Sequence, residues 1–242
     1  MNPSLAKRRS PVSSYTLKLI AVVSMLIDHS AQAIRPLLER DTYRMLRHVG
    51  RLAFPLFCFL LVEGLRHTHD RRKYLGALAM FALISELPFD RAFWSGWVDL
   101  GHQNVFFTLS LGLLAAMLWD MLTQGGGDCP PWRGIAAIGC AIALGAAAHY
   151  METDYGAMGV ALILVMVLLR DRPWVRDLVA GGVLAAMIPF GSHWIELFGV
   201  LAFPLFHLYN GQRGRQSKYF FYVFYPAHLL LLALIARLLF RA

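Results

Sequence analysis

Two groups that can hold charge and move protons, Asp28 and His29, stand inside an apolar stretch of helix length, Leu17 to Pro36, LKLIAVVSMLIDHSAQAIRP. An acidic group within a would-be membrane helix costs roughly 2.5 to 3.5 kcal/mol on insertion scales, so such groups face a protein interior or a wet cavity and mark function. Neighbours on a helix point about 100° apart, which argues against a direct Asp28–His29 dyad. Asp28 is expected to pair with Arg51, whose own cost in lipid demands a partner. His29 is then free to act as a general base, the ordinary imidazole pKa of about 6.5 suiting that work.

Other constellations have a functional and a plain reading. Glu86 and Asp90 stand four apart and share a helix face, with Pro88 between them. They suit an amine or Arg51, unless Asp90 is simply a helix end facing headgroups. Glu63 and His67 are also four apart, beside Arg66, Arg71, Arg72 and Lys73. That cluster reads as a phosphate clamp or as a basic loop that sets orientation. Tyr219, Tyr222, Tyr225 and His228 recur every three residues. The tyrosines suit an interfacial aromatic belt, whereas His228, near mid-membrane, needs a polar partner and is the rival base. Gln103 and Asn104 open a further apolar run.

Helices must position these groups. The 242 residues are 57% hydrophobic and 16% charged, and mean hydropathy is +0.51, far above a soluble domain. The chain reads as an all-α polytopic transmembrane bundle of about nine spans, near 16–35, 48–66, 74–90, 104–122, 134–150, 155–170, 175–190, 193–209 and 219–238. Residues 1–15 read as a basic cytoplasmic tail and 16–242 as one membrane domain. The net charge of +8 sits mostly between apolar runs, so it signals topology and not a nucleic-acid partner. With the N-terminus inside, the inner loops collect fifteen Lys and Arg and the outer loops seven, which favours a cytoplasmic N-terminus. On that topology the intramembrane polar groups gather in the outer leaflet. Cys58, Cys129 and Cys140 have no paired spacing, and no metal-ligand spacing, glycine-rich nucleotide loop or serine elbow occurs.

Five blocks carry a resemblance: LKLIAVVSMLIDH, HVGRLAFPLFCFLLVEGLRHT, KYLGALAMFALISELPFDRAF, QNVFFTLSLGLL and KYFFYVFYPAHLLLL. In this order they resemble the TraX family, named for the conjugative pilin N-acetyltransferase. The similarity covers most of 17–120 and 218–232. It implies a bacterial inner-membrane acyltransferase that takes acetyl from acetyl-CoA, with no metal, and gives it to an extracytoplasmic protein or glycan acceptor. The matching polar positions are Asp28, His29, Arg51, Glu63, Glu86, Asp90, Gln103, Asn104, Tyr225 and His228.

On that reading, His29 is the base, and Asp28 and Arg51 shape the pocket. Gln103 or Asn104 donates to the thioester oxygen, and Glu86, Asp90 and Tyr225 line the acceptor site. Acetyl-CoA enters past Glu63, His67, Arg71, Arg72, Arg213, Arg215 and Lys218. Two other classes compete. A proton- or ion-coupled transporter would use Asp28, Glu86, Asp90 and His29 as ligands, and a non-catalytic envelope assembly partner would use the buried charges only to fix packing.

Overall fold

The computed structural model describes residues 12–94, 99, 101–123, 130–188, 194–215 and 218–240, with backbone alone at 218 and 219. The chain forms α1 (Ser14–Ala33), α2 (Arg40–Gly50), α3 (Ala53–His67), α4 (Arg71–Phe93), α5 (Val105–Thr123), α6 (Pro131–Tyr150), α7 (Gly156–Leu168) and α8 (Pro173–Ala186). A 3₁₀ segment (Trp194–Ala202), α9 (Phe203–Leu208) and α10 (Lys218–Phe240) follow. Among the described residues there is no strand beyond two isolated bridges, Val12 with Tyr209 and Gln103 with Thr153. Among the described residues each expected span overlaps a helix, the one near 48–66 being broken by a turn at residues 51–52. Arg40–His67, Val105–Thr123, Pro131–Tyr150 and Phe220–Phe240 are long and apolar enough to cross a membrane, and Gly156–Leu168 and Trp194–Leu208 are shorter apolar stretches. The fold is an all-α membrane bundle.

Two details differ from the sequence expectation. Residues 40–50 are a helix, although no apolar run marks them, because Tyr43, Leu46, Arg47 and Gly50 recur at helical spacing and turn inward while the other face is exposed. Asp41 in its first turn and Arg47 and His48 in its last suit the helix dipole. The expected helix near 193–209 instead begins as nine residues of 3₁₀ helix, with Pro204 removing a backbone donor where the α-form takes over. A rise of about 2.0 Å per residue in the 3₁₀ part stretches this short segment to roughly 27 Å, close to bilayer thickness.

Packing runs α6 on α5 and α7, α5 on α4 and α7, α10 on α4 and α1, and α1 on α2 and α3. Leu17, Ala21, Leu56, Leu113, Ile163, Leu184 and Leu229 are nearly or fully buried in the core. Ile135, Ile138 and Ile142 on α6 and Leu230, Leu231, Leu234 and Leu238 on α10 face outward, as expected where the surrounding solvent is hydrocarbon. The bundle has two ends. At the near end the Ser14 and Tyr15 amides donate to the carbonyls of Gln212 and Arg213, and at the far end the Gln103 amide donates to Glu152.

Candidate functional site

The centre of the far half is a histidine pair. His29 Nδ1 lies 2.8 Å from His228 Nε2, with the rings nearly parallel at 5°. His228 Nδ1 is 2.9 Å from the Phe224 carbonyl. A carbonyl only accepts, so Nδ1 of His228 bears hydrogen and, in the neutral ring, Nε2 accepts. His29 must then donate from Nδ1, which leaves the lone pair on its Nε2 for chemistry. The expected base and its rival are thus one unit. Phe93 at 5.2 Å and Tyr225 at 6.1 Å meet the His29 ring edge-on.

The expected Asp28–Arg51 pair forms inside a larger charge network. Arg51 Nη2 donates to both Asp28 oxygens at 2.8 and 2.9 Å, and its Nη1 donates to Glu196 at 2.8 Å. Arg47 and Gln32 also donate to Asp28 Oδ2. Asp28 and Arg51 are buried, where a paired charge survives and a lone one does not. Gly50 lets α2 approach, since a Cβ there would overlap the Asp28 carboxylate.

Beside these groups lies a far cavity of about 280 Å³, lined by Asp28, His29, Gln32, Arg47, Arg51, Gln103, Asp154 and Tyr225 with an aromatic wall of Phe54, Phe57, Phe89, Phe93, Trp94 and Tyr155. Its rim is the 151–155 loop, docked by hydrogen bonds from Gln103 N to Glu152 O and from Asp154 N to Gln103 O, both 3.0 Å. Glu152 takes φ 51°, a left-handed geometry that non-glycine residues adopt at a cost and that clusters at functional sites. Asp154 is an exposed residue lining the cavity. Desolvation, opposed by Arg51 and reinforced by Glu196 and Asp28, pushes its carboxyl up to about 6.

Several expected site residues lie elsewhere. Glu86 and Asp90 line neither of the two cavities described here, and neither holds Arg51, whose second carboxylate is Glu196. Glu86 accepts from the Asn104 side chain and backbone, and Asp90, fully buried, accepts from the Asp99 amide at 2.8 Å. Asn104 is no free donor. Its amide is spent on Glu86 and on Ala82 O at 2.8 Å, and its Oδ1 accepts from Phe106 N at 3.0 Å as the cap of α5. Gln103 does line the cavity.

A second cavity of about 520 Å³ occupies the near half, lined by Lys18, Glu63, His67, Lys73, Tyr74, Arg213, Tyr222 and Tyr225 among others. Glu63 takes Arg66 at 3.1 Å and His67 at 3.6 Å, and Arg213 donates to the His67 carbonyl. Arg71 turns away to Asp120 at 2.9 Å, Arg72 and Arg215 are exposed and line neither cavity, and the Lys218 side chain lies outside the described residues. Tyr222 and Tyr225 line cavities and are not a lipid-facing belt.

The sequence reading missed Arg47, Gln32, Glu196, Asp154 and Lys18 as site residues. Spacing held a signal for two of them: Gln32 is four residues from Asp28, and Arg47 four from Arg51. Lys18 counted only as a topology charge, Lys73 belonged to the basic cluster read as a phosphate clamp, and no local pattern points to Glu196.

Fold and site together define a helical membrane protein with two cavities, the far one flanked by a part-buried histidine pair and a charge network. The family model described as TraX protein matches residues 13–236, and the chain belongs to the TraX family. It is similar to the "Probable fimbrial assembly protein FimC, serogroup H1" of Dichelobacter nodosus, 35% identical over 251 residues that cover 93% of this chain and 96% of that protein. No solved structure matches it.

Proposed function

We propose that this chain is an integral membrane acyltransferase that moves acetyl from acetyl-CoA in the near cavity to an amine or hydroxyl of an acceptor in the far cavity. It would sit in a bacterial inner membrane with the near end cytoplasmic, as the loop charges favour. The observation that carries this reading is a stripe along one face of α1. Lys18 and Val22 line the near cavity, Met25 lines both, and His29 lines the far one. Lys18 to His29 is eleven residues, about 16 Å of helix. Phosphates held by Lys18, Lys73 and Arg213 therefore leave a long flexible arm such as pantetheine to bring the thioester to His29.

In the proposed reaction His29 Nε2 takes a proton from the acceptor N–H or O–H. The freed lone pair attacks the thioester carbonyl carbon and the C–S bond breaks; the thiolate takes the second proton of the attacking nitrogen, or for a hydroxyl acceptor the proton held on His29, and leaves as free CoA. Gln103, which lines the same cavity, would donate to the oxygen as its charge develops. The Asp154 carboxylate and the aromatic wall favour a protonated amine over a hydroxyl as the arriving group. The printed name of the 35%-identical relative supports a fimbrial subunit as acceptor. Asp28 has both oxygens committed to Arg47, Arg51 and Gln32, which disfavours it as an ion ligand of a carrier.

Detergent-purified protein tests the reading. Acetyl-CoA at a hundredfold excess over Kd stabilises a real site by about 2.7 kcal/mol, and slow thiol release reports turnover. Stabilisation with His29-dependent release is the expected result. A well-folded sample showing neither overturns the assignment.

A further inference from the structure

The two cavities share four lining residues, Met25, Phe57, Val105 and Tyr225. Each comes from a different helix, α1, α3, α5 and α10 in turn, so the four side chains converge from four helices where the cavities meet. Tyr225 is 3% exposed, Met25 6% and Val105 9%. The Tyr225 ring meets Phe106 edge-on at 4.9 Å, which fixes that side of the group. Met25 lies one helical turn before His29 on the same face of α1, and the Tyr225 ring centre is 6.1 Å from that of His29.

We infer, resting on the acyltransferase reading above, that these four side chains form a septum that selects the acyl group by length, passing acetyl and rejecting longer chains. A thioester rising from the near cavity reaches His29 only with its carbonyl at the septum. The acyl tail must then lie among the same four side chains. An acetyl methyl needs little room, whereas each further methylene meets Met25 or Phe57, and interiors packed to crystal density yield poorly to an extra methylene. The same septum separates the near cavity from the far one, so acyl-CoA and acceptor meet only across it.

The test is a chain-length ladder on the full-length protein in detergent, using acetyl-, butyryl- and hexanoyl-CoA with water as the acceptor. In that reaction water adds to the thioester carbon, the C–S bond breaks, and the free acid and CoA thiol are released. Wild type is expected to lose at least about tenfold in kcat/KM at each step of the ladder, the scale on which an apolar pocket discriminates a methylene. Met25→Ala and the milder Phe57→Leu should raise the hexanoyl-to-acetyl ratio at least about tenfold, and Val105→Leu should lower the butyryl-to-acetyl ratio. Met166→Ala, an equal truncation in the core of α7 that lines neither cavity, should leave the ladder as in wild type. A flat wild-type ladder, or septum variants that keep the wild-type ratio, overturns the filter while leaving the acyltransferase standing. No thiol release from acetyl-CoA by folded wild type overturns both.

Discussion

His29 Nδ1 and His228 Nε2 lie 2.8 Å apart although 199 positions separate them in the chain, and the Phe224 carbonyl behind His228 sets which nitrogen of each ring holds hydrogen. His29 therefore presents a bare Nε2, and on the proposed reaction His228 would act through it as a positioning residue. On the proposed reaction, His29→Ala should lower kcat by at least about 100-fold, the usual worth of a general base. His228→Ala should lower kcat less and leave KM for acetyl-CoA near its wild-type value. A mainly KM-based loss in His228→Ala would place that residue in binding instead.

The charge network gives a stability prediction. Asp28→Asn leaves buried Arg51 and half-buried Arg47 with Glu196 as the one full negative charge hydrogen-bonded to either in the network described. Breaking a buried pair from one side costs about 3–5 kcal/mol. Unfolding of the detergent-solubilised variant should show a loss of that size, and a loss under about 1 kcal/mol would mean that solvent enters the network.

Gly50→Ala tests the same network by shape alone. The added methyl would overlap the Asp28 carboxylate and force it off Arg51, so activity and thermal stability should fall together. Gly76→Ala, where a Cβ meets nothing within 4 Å, is the control and should be neutral or slightly stabilising, as helix propensity favours Ala.

Asp154 supplies a pH dependence. Its folded pKa, about 6, lies above the ordinary 3.8, so the folded state binds this proton more tightly than the unfolded one. Ionised Asp154 therefore opposes folding at neutral pH, and that penalty is relieved as pH falls through about 6 towards 4. Asp154→Asn should raise stability at pH 7.5 and remove this limb. If the carboxylate receives an amine, acceptor KM should rise in wild type as pH falls through 6 and should be high and flat across that range in Asp154→Asn.

The near cavity separates two sets of basic residues. Lys18→Gln, Lys73→Gln and Arg213→Gln should each weaken acetyl-CoA binding, most strongly at low ionic strength. Arg72→Gln and Arg215→Gln, which lie outside both cavities, should change it little. Titration calorimetry at two salt concentrations distinguishes the sets.

Much of this protein is legible in its sequence because the bilayer imposes one rule on every span. Backbone polar groups must be satisfied internally, so apolar runs of sufficient length become helices, and ionisable residues inside them need partners. That logic alone brings Asp28 to Arg51 and marks His29 and His228 as candidates for chemistry. It is silent on Arg40–Gly50, whose amphipathic pattern lacks an apolar run, and on the 3₁₀ stretch Trp194–Ala202, which depends on packing.

The partners themselves were decided by tertiary structure. Hydropathy and spacing place a residue at a depth and on a helix face, but not opposite a particular neighbour helix. That choice brought Glu196 and not Glu86 to Arg51, and gave Glu86 to the Asn104 cap. It also sent Arg71 to Asp120 while Lys18 and Lys73 turned into the near cavity. The sequence by itself determined an all-α membrane bundle, its family and the positions of two histidines inside its apolar helices. Only the packing of helices distant in the chain joined those histidines and set two cavities against each other, because such contacts follow from side-chain fit across helices and leave no periodic trace within any one of them.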